Sequence, residues 1–115
     1  MHRFKWHVLA LIALLTCSVY LSAQDTATVV GTVTDTSGAV VPGASIELSN
    51  PATGRVYKTV SGANGGYTFT NVTPGPGYKE TVSRTGFEKT VLTDLYMNVA
   101  TTRTQNVKLT VGAVS

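Results

Sequence analysis

The sequence predicts an all-β fold, a small sandwich of seven strands. Three observations carry that expectation. Apolar and polar residues alternate with a period of two in one segment after another. Gly, Pro, Asn and Ser punctuate most of the gaps between those segments. From Gln24 onward no segment shows the apolar stripe of a helix.

The first of these segments sets the grammar. Val29, Gly31 and Val33 fall on one face of an extended stretch and Val30, Thr32 and Thr34 on the other, so the valine face can turn inward. Asp35-Thr36-Ser37-Gly38 then supplies an acid whose side chain caps its own turn and a glycine that accepts positive φ. After Val40-Val41, Pro42-Gly43 makes a second bend, and Ala44, Ile46 and Leu48 alternate with Ser45, Glu47 and Ser49. Strands are expected at residues 28–34, 44–50, 55–61, 67–71, 78–85, 88–94 and 102–111. Asn50-Pro51-Ala52-Thr53-Gly54 and Ser61-Gly62-Ala63-Asn64-Gly65-Gly66 read as hairpin connections that end on glycine. Thr and Val dominate the strands, as suits a half-buried pleated surface.

The order and spacing of these motifs resemble the carboxypeptidase regulatory-like family, and the likeness covers nearly all of the chain after its leader. The family pattern runs G-x-V-x-D-x-x-G, P-G-A before an alternating strand, G-x-Y-x-F, a P-G-x-Y turn and G-F. Gly31, Val33, Asp35, Gly38, Pro42, Gly43, Ala44, Gly65 or Gly66, Tyr67, Phe69, Gly77, Tyr78, Gly86 and Phe87 match it. The resemblance implies a seven-stranded Greek-key β-sandwich of the prealbumin or transthyretin type. Two departures stand out. The turn reads Pro74-Gly75-Pro76-Gly77, and Glu80 occupies a position where the family usually has an aliphatic side chain. A charge there is costly unless paired or at an edge, so the fifth strand is expected to be less buried than in relatives.

Ahead of this domain, His2, Arg3 and Lys5 precede an apolar run from Val8 to Leu15 that weakens toward Leu21. Basic, then apolar, then small is the order of a secretory signal peptide, here a helix over residues 1–23 with cleavage between Ala23 and Gln24. The run is shorter than the roughly 20 residues that span a bilayer. An uncleaved anchor over residues 6–23 and lipidation at Cys17, in Leu14-Leu15-Thr16-Cys17, are the alternatives. The expected organisation is thus a leader at 1–23, the sandwich at 24–111, and a truncated linker or tail at 112–115. The stop after Gly112-Ala113-Val114-Ser115 reads as a cut, because in relatives the same strand leads into the plug and barrel of a TonB-dependent outer-membrane receptor.

Cleavage would remove both histidines (His2, His7), the only cysteine (Cys17) and the only tryptophan (Trp6). Seven of the nine Lys and Arg residues and all six acids would remain, so the charge is near neutral and nothing invites a nucleic-acid partner. Without His or Cys there is no Ser-His or Cys-His pair and no imidazole or thiolate for a metal. No catalytic residue, cofactor or metal site is expected, and the chain reads as no enzyme. Transthyretin-like hydroxyisourate hydrolases share the implied architecture but depend on histidines missing here. Asp35 reads as a turn cap, Asp25 as part of a frayed start, and Glu47, Glu88 and Asp94 as solvent-facing strand positions. Gly62-Ala63-Asn64-Gly65-Gly66 lacks the Lys-Ser or Lys-Thr and the helix of a phosphate loop. Asn71-Val72-Thr73 fits a glycosylation sequon. An isopeptide staple through Asn106 would need a lysine on the first strand, and none lies between Gln24 and Arg55.

Two functions remain in view. The resemblance implies an exported structural or interaction module in the periplasm or at the outer membrane, adjacent to or part of a TonB-dependent receptor. Its partner would be an envelope protein, with membrane contact only through the leader or that receptor. The alternative is a secreted carbohydrate-binding module, for which Tyr57 and Tyr96 are the candidate ligand-stacking rings once Tyr67, Phe69, Tyr78 and Phe87 are assigned to the core.

Overall fold

The computed structural model describes residues 7–8 and 25–112. Most of the expected leader, the cleavage expected between Ala23 and Gln24, Cys17 and residues 113–115 lie outside the described residues. Among the described residues no helix is long and apolar enough to cross a membrane. Eight strands form there: β1 (Ala27–Asp35), β2 (Ser45–Asn50), β3 (Arg55–Val60), β4 (Gly66–Val72), β5 (Gly75–Ser83), β6 (Thr90–Met97), β7 (Thr102–Thr104) and β8 (Val107–Leu109). They make two sheets. One runs β4-β1-β7 with β8 also on β1, and the other runs β3-β2-β5-β6.

Alternation decides what goes between the sheets. Val29 and Val33 of β1, Ile46 and Leu48 of β2, Tyr67 and Phe69 of β4, Tyr78 and Val82 of β5, Met97 of β6 and Leu109 of β8 are all buried. The two rings of β4 meet edge to face, with centroids 5.9 Å apart. Phe87 and Tyr57 are only partly buried and pack against this core from its margin.

β1 holds the first sheet together. It pairs antiparallel with β4 on one side and parallel with β7 and β8 on the other. At its centre a Cβ on Gly31 would lie 2.0 Å from the Gln105 carbonyl oxygen and 2.7 Å from the Tyr67 ring, so only glycine fits. β1 ends in the anticipated turn. The Asp35 carboxylate accepts from the Ser37 amide at 2.8 Å, the Ser37 hydroxyl at 2.6 Å and the Ala39 amide at 3.1 Å, and Gly38 takes φ 87°. The hydroxyl of Ser37 is the main reason this carboxyl titrates below its ordinary range.

Four expectations need correction. The segment 61–66 is no hairpin: it carries the chain from β3 in one sheet to β4 in the other, and Ser61 is its anchor. The Ser61 hydroxyl donates to the Val41 carbonyl at 2.7 Å and accepts from the Ala44 amide at 2.8 Å. The seventh strand divides into β7 and β8, although its register on β1 is unbroken, since Val30 faces Thr104 and Val33 faces Val107. Between them the Gln105 carbonyl accepts from the Tyr67 hydroxyl, while the Asn106 side chain, not a backbone carbonyl, accepts from the Thr32 amide at 3.1 Å.

The sixth strand reaches Met97 and does not stop at Asp94. Asp94 adopts φ 57° and shifts the register, so that Leu92 faces Glu80 and Leu95 faces Tyr78. An extra residue therefore separates two inward leucines, which breaks the alternation that sequence reading relies on. Last, the fifth strand is not lightly buried. β5 lies between β2 and β6, and Glu80 is 0% exposed.

Two stability predictions follow from this packing. Gly31→Ala should cost about 3 kcal/mol, because the backbone carbonyl of Gln105 cannot yield to a new methyl. Leu48→Ala, at a fully buried position, should cost a similar ~3 kcal/mol, while Val60→Ala, on an exposed edge, should change stability by less than about 0.5 kcal/mol. Urea unfolding of the three variants checks the ranking.

Candidate functional site

The edges of the β3-β2-β5-β6 sheet are the surfaces most able to receive another molecule. β3 pairs with β2 from Ser45↔Val60 to Asn50↔Arg55 without a register shift, and its far side has no neighbouring strand. Half of its backbone amides and carbonyls therefore face outward in a regular row. Val56 and Val60 are 52% and 58% exposed on the outer face, with Lys58 between them opposite Glu47. A groove of about 400 Å³ lies at the Val60 end of this face, lined by Ser45, Ile46, Glu47, Lys58, Thr59 and Val60. β6, at the opposite edge, carries Val91 and Tyr96, but the Asp94 bulge interrupts its outward row. Lys58 is the only charge along the middle of β3, so this edge is lightly guarded.

The two tyrosines read as ligand-stacking candidates are not brought together. Tyr57 is on β3 and Tyr96 on β6, at opposite edges of the sheet. Tyr57 is half-buried, and its hydroxyl donates to the Thr73 side chain at 3.3 Å and accepts from the Thr73 amide at 3.0 Å. The Tyr78 hydroxyl donates to the Thr73 carbonyl, so two tyrosines clamp the link between β4 and β5. Tyr96 is 52% exposed and free to meet a ligand with its ring.

The acids fall largely as expected. Asp25, Glu47, Glu88 and Asp94 are exposed, and Asp35 caps its turn. Among the described residues no three His, Cys, Asp or Glu side chains gather in a way that could hold a metal ion. Asn71 of the sequon is exposed at φ 56°. Gly62 to Gly66 form a tight turn in which the Gly65 amide donates to the Gly62 carbonyl at 2.9 Å and the Asn64 side chain accepts from the Gly66 amide at 3.1 Å.

Glu80 is the exception. Both its carboxylate oxygens are buried with no hydrogen-bond partner, whereas the buried Asn50 and Ser61 are bonded. Burial pushes the carboxyl above its ordinary range, against the smaller pull of the Tyr67 hydroxyl and the Arg103 charge. The Tyr67 hydroxyl donates to the Gln105 carbonyl and lies near enough to Glu80 to favour its charged form. Burial and the nearby Glu80 in turn raise the pKa of Tyr67. Arg103 donates to the Tyr96 carbonyl and to the Gln105 side chain, each at 3.3 Å, and its Nε is buried without a partner. Sequence reading singled out Glu80 but missed Arg103, which arrives from a strand in the other sheet and carries no local signal.

Comparison with known proteins agrees with this architecture. The chain resembles catechol 1,2-dioxygenase from Acinetobacter radioresistens at 16% identity and a TM-score of 0.62, over 77% of this chain and 53% of that one. It resembles the Bacillus anthracis TIE protein at 15% identity and a TM-score of 0.64, over 76% of this chain and 17% of that one. A Bacteroides uniformis protein, provisionally described as carbohydrate-binding, matches at 16% identity and a TM-score of 0.61, over 74% of this chain and 41% of that one. These likenesses concern the fold, and the chain spans about half of the dioxygenase. No curated protein sequence matches it. Residues 28–110, almost the whole of both sheets, match the carboxypeptidase regulatory-like domain, and the chain belongs to that family.

Proposed function

We propose that this chain is a non-catalytic, exported interaction module, the accessory sandwich of an outer-membrane receptor of the TonB-dependent type. Its working surface is the outer edge of β3, where an extended segment of an envelope protein adds as a further strand. The observation that carries this reading is the regular, unpaired β3 edge with Val56 and Val60 exposed beside it. Main-chain hydrogen bonds supply the affinity in such a pairing, and the two valines select apolar side chains at alternate positions. Membership of a non-catalytic regulatory-like family supports the absence of a reaction, as does the scattering of the exposed acids over separate strands.

A second reading has its own support: the 52% exposed ring of Tyr96 and the likeness to a protein provisionally described as carbohydrate-binding. In that case a secreted module stacks a sugar on Tyr96, with no contribution from the half-buried Tyr57.

The two readings separate experimentally. Captured from a Gram-negative envelope extract, the tagged chain should retain a membrane protein, and Val56→Lys with Val60→Lys should reduce that retention about tenfold at unchanged stability. Recovery of no membrane protein by the unaltered chain counts against the module reading. Loss of polysaccharide retention on Tyr96→Ala, with the β3 double variant unaffected, supports the glycan reading instead.

A further inference from the structure

The backbone of β3 determines which of its residues a docked strand would meet. The Ser61 amide donates to the Ala44 carbonyl at 2.9 Å, in register with the β2-β3 ladder that adjoins it. Successive residues of an antiparallel strand turn their amides and carbonyls to opposite sides. Arg55, Tyr57 and Thr59 therefore face β2 with these groups, and those of Val56, Lys58 and Val60 point away from it. The side chains of the same three residues are exposed. What β3 offers to a new strand is thus one short row, a lysine between two valines.

That row decides against a second copy of this chain as the occupant. Two copies related by a two-fold axis align Val56 with Val60 at both ends only in the register that sets Lys58 on Lys58. Like charges directly opposite each other are destabilising. Glu47, across from Lys58 on the β2 side, tempers this repulsion without removing it. Sliding one copy by two residues parts the lysines, but it sets each against a valine and carries the third residue of the row past the end of β3. A foreign segment is under no such constraint. A carboxylate placed opposite Lys58 makes the central contact attractive while both valines keep apolar neighbours.

On the reading of β3 as a strand-accepting edge, we propose that its partner is an antiparallel segment of the pattern apolar-x-acidic-x-apolar, with the acidic side chain opposite Lys58 and the apolar ones opposite Val56 and Val60. The main chain supplies the affinity, and Lys58 supplies the choice of partner and the register. A slip of the segment by two residues sets the acid against a valine and an apolar side chain against the lysine. Only one alignment satisfies all three positions.

The test uses the 15N-labelled chain and three synthetic peptides, Thr-Val-Thr-Glu-Thr-Val-Thr and its counterparts with Gln or Lys in place of Glu, in low-salt buffer where exposed charges are least screened. The amides of Val56, Lys58 and Val60 should shift as peptide is added. The Glu peptide should bind about fivefold more tightly than the Lys peptide, with the Gln peptide between them. Lys58→Glu, a change at an exposed side chain, should reverse that order. Equal affinities for the three peptides, or an order that Lys58→Glu leaves unreversed, would overturn the assigned partner while strand addition at β3 stands. Shifts at none of the three amides with any peptide would overturn strand addition itself and the partner with it. A dimer of the unaltered chain with protected β3 amides would overturn the proposal by naming a second copy as the occupant.

Discussion

The whole first sheet depends on one close approach, at Gly31. There β1 lets the Tyr67 ring lie across its backbone and lets the Gln105 carbonyl come close enough to accept a hydrogen bond from the tyrosine hydroxyl. Every strand of that sheet hydrogen-bonds to β1, antiparallel on one side and parallel on the other, so β1 has no edge exposed to solvent over most of its length. A side chain at this position would push β4 and the Gln105 loop apart together. The missing Cβ is thus a packing device as well as a backbone freedom, which is why it falls in mid-strand, where glycine otherwise weakens a sheet.

The second sheet solves a different problem. It has two open edges, and the chain treats them unequally. The β6 edge is bent by the Asp94 bulge, which breaks the row of outward amides. The β3 edge is straight and carries two exposed valines. An unguarded edge of this kind invites pairing with another chain, a liability in a free domain and an asset in one that docks. The tyrosine pair on Thr73 works at the other end of the interior, fixing the crossover into β5 without using a charged group.

Much of this was legible in the residues. Period-2 alternation identified the buried faces of β1 and β2, and the Asp35 turn followed from a short acid four residues ahead of glycine's neighbour Ala39. What escaped was either non-local or arrhythmic. The Leu92 and Leu95 spacing looked like the end of a strand because a bulge absorbs one residue, and the 61–66 segment looked like a hairpin because turn chemistry does not say which sheet comes next. Strand β5 was expected at reduced burial on the strength of Glu80, yet alternation along Tyr78, Glu80 and Val82 had already placed that carboxyl inside. The hydrophobic gain of the flanking residues outweighed the cost of burying one carboxyl group. At the candidate surface, the valines of β3 were visible in sequence, but that β3 is an edge could be known only from topology.

Native-state hydrogen exchange of the isolated chain tests the central claim most directly, since that claim joins a closed β1 to an open β3. The account predicts that amides linking β1 to β4 exchange only through global unfolding, while the outward-facing amides of β3 exchange at nearly unprotected rates. Strong protection of those β3 amides would mean that the edge is already covered, and fast local exchange between β1 and β4 would mean that the sheet does not hang on β1. Either result would contradict the account.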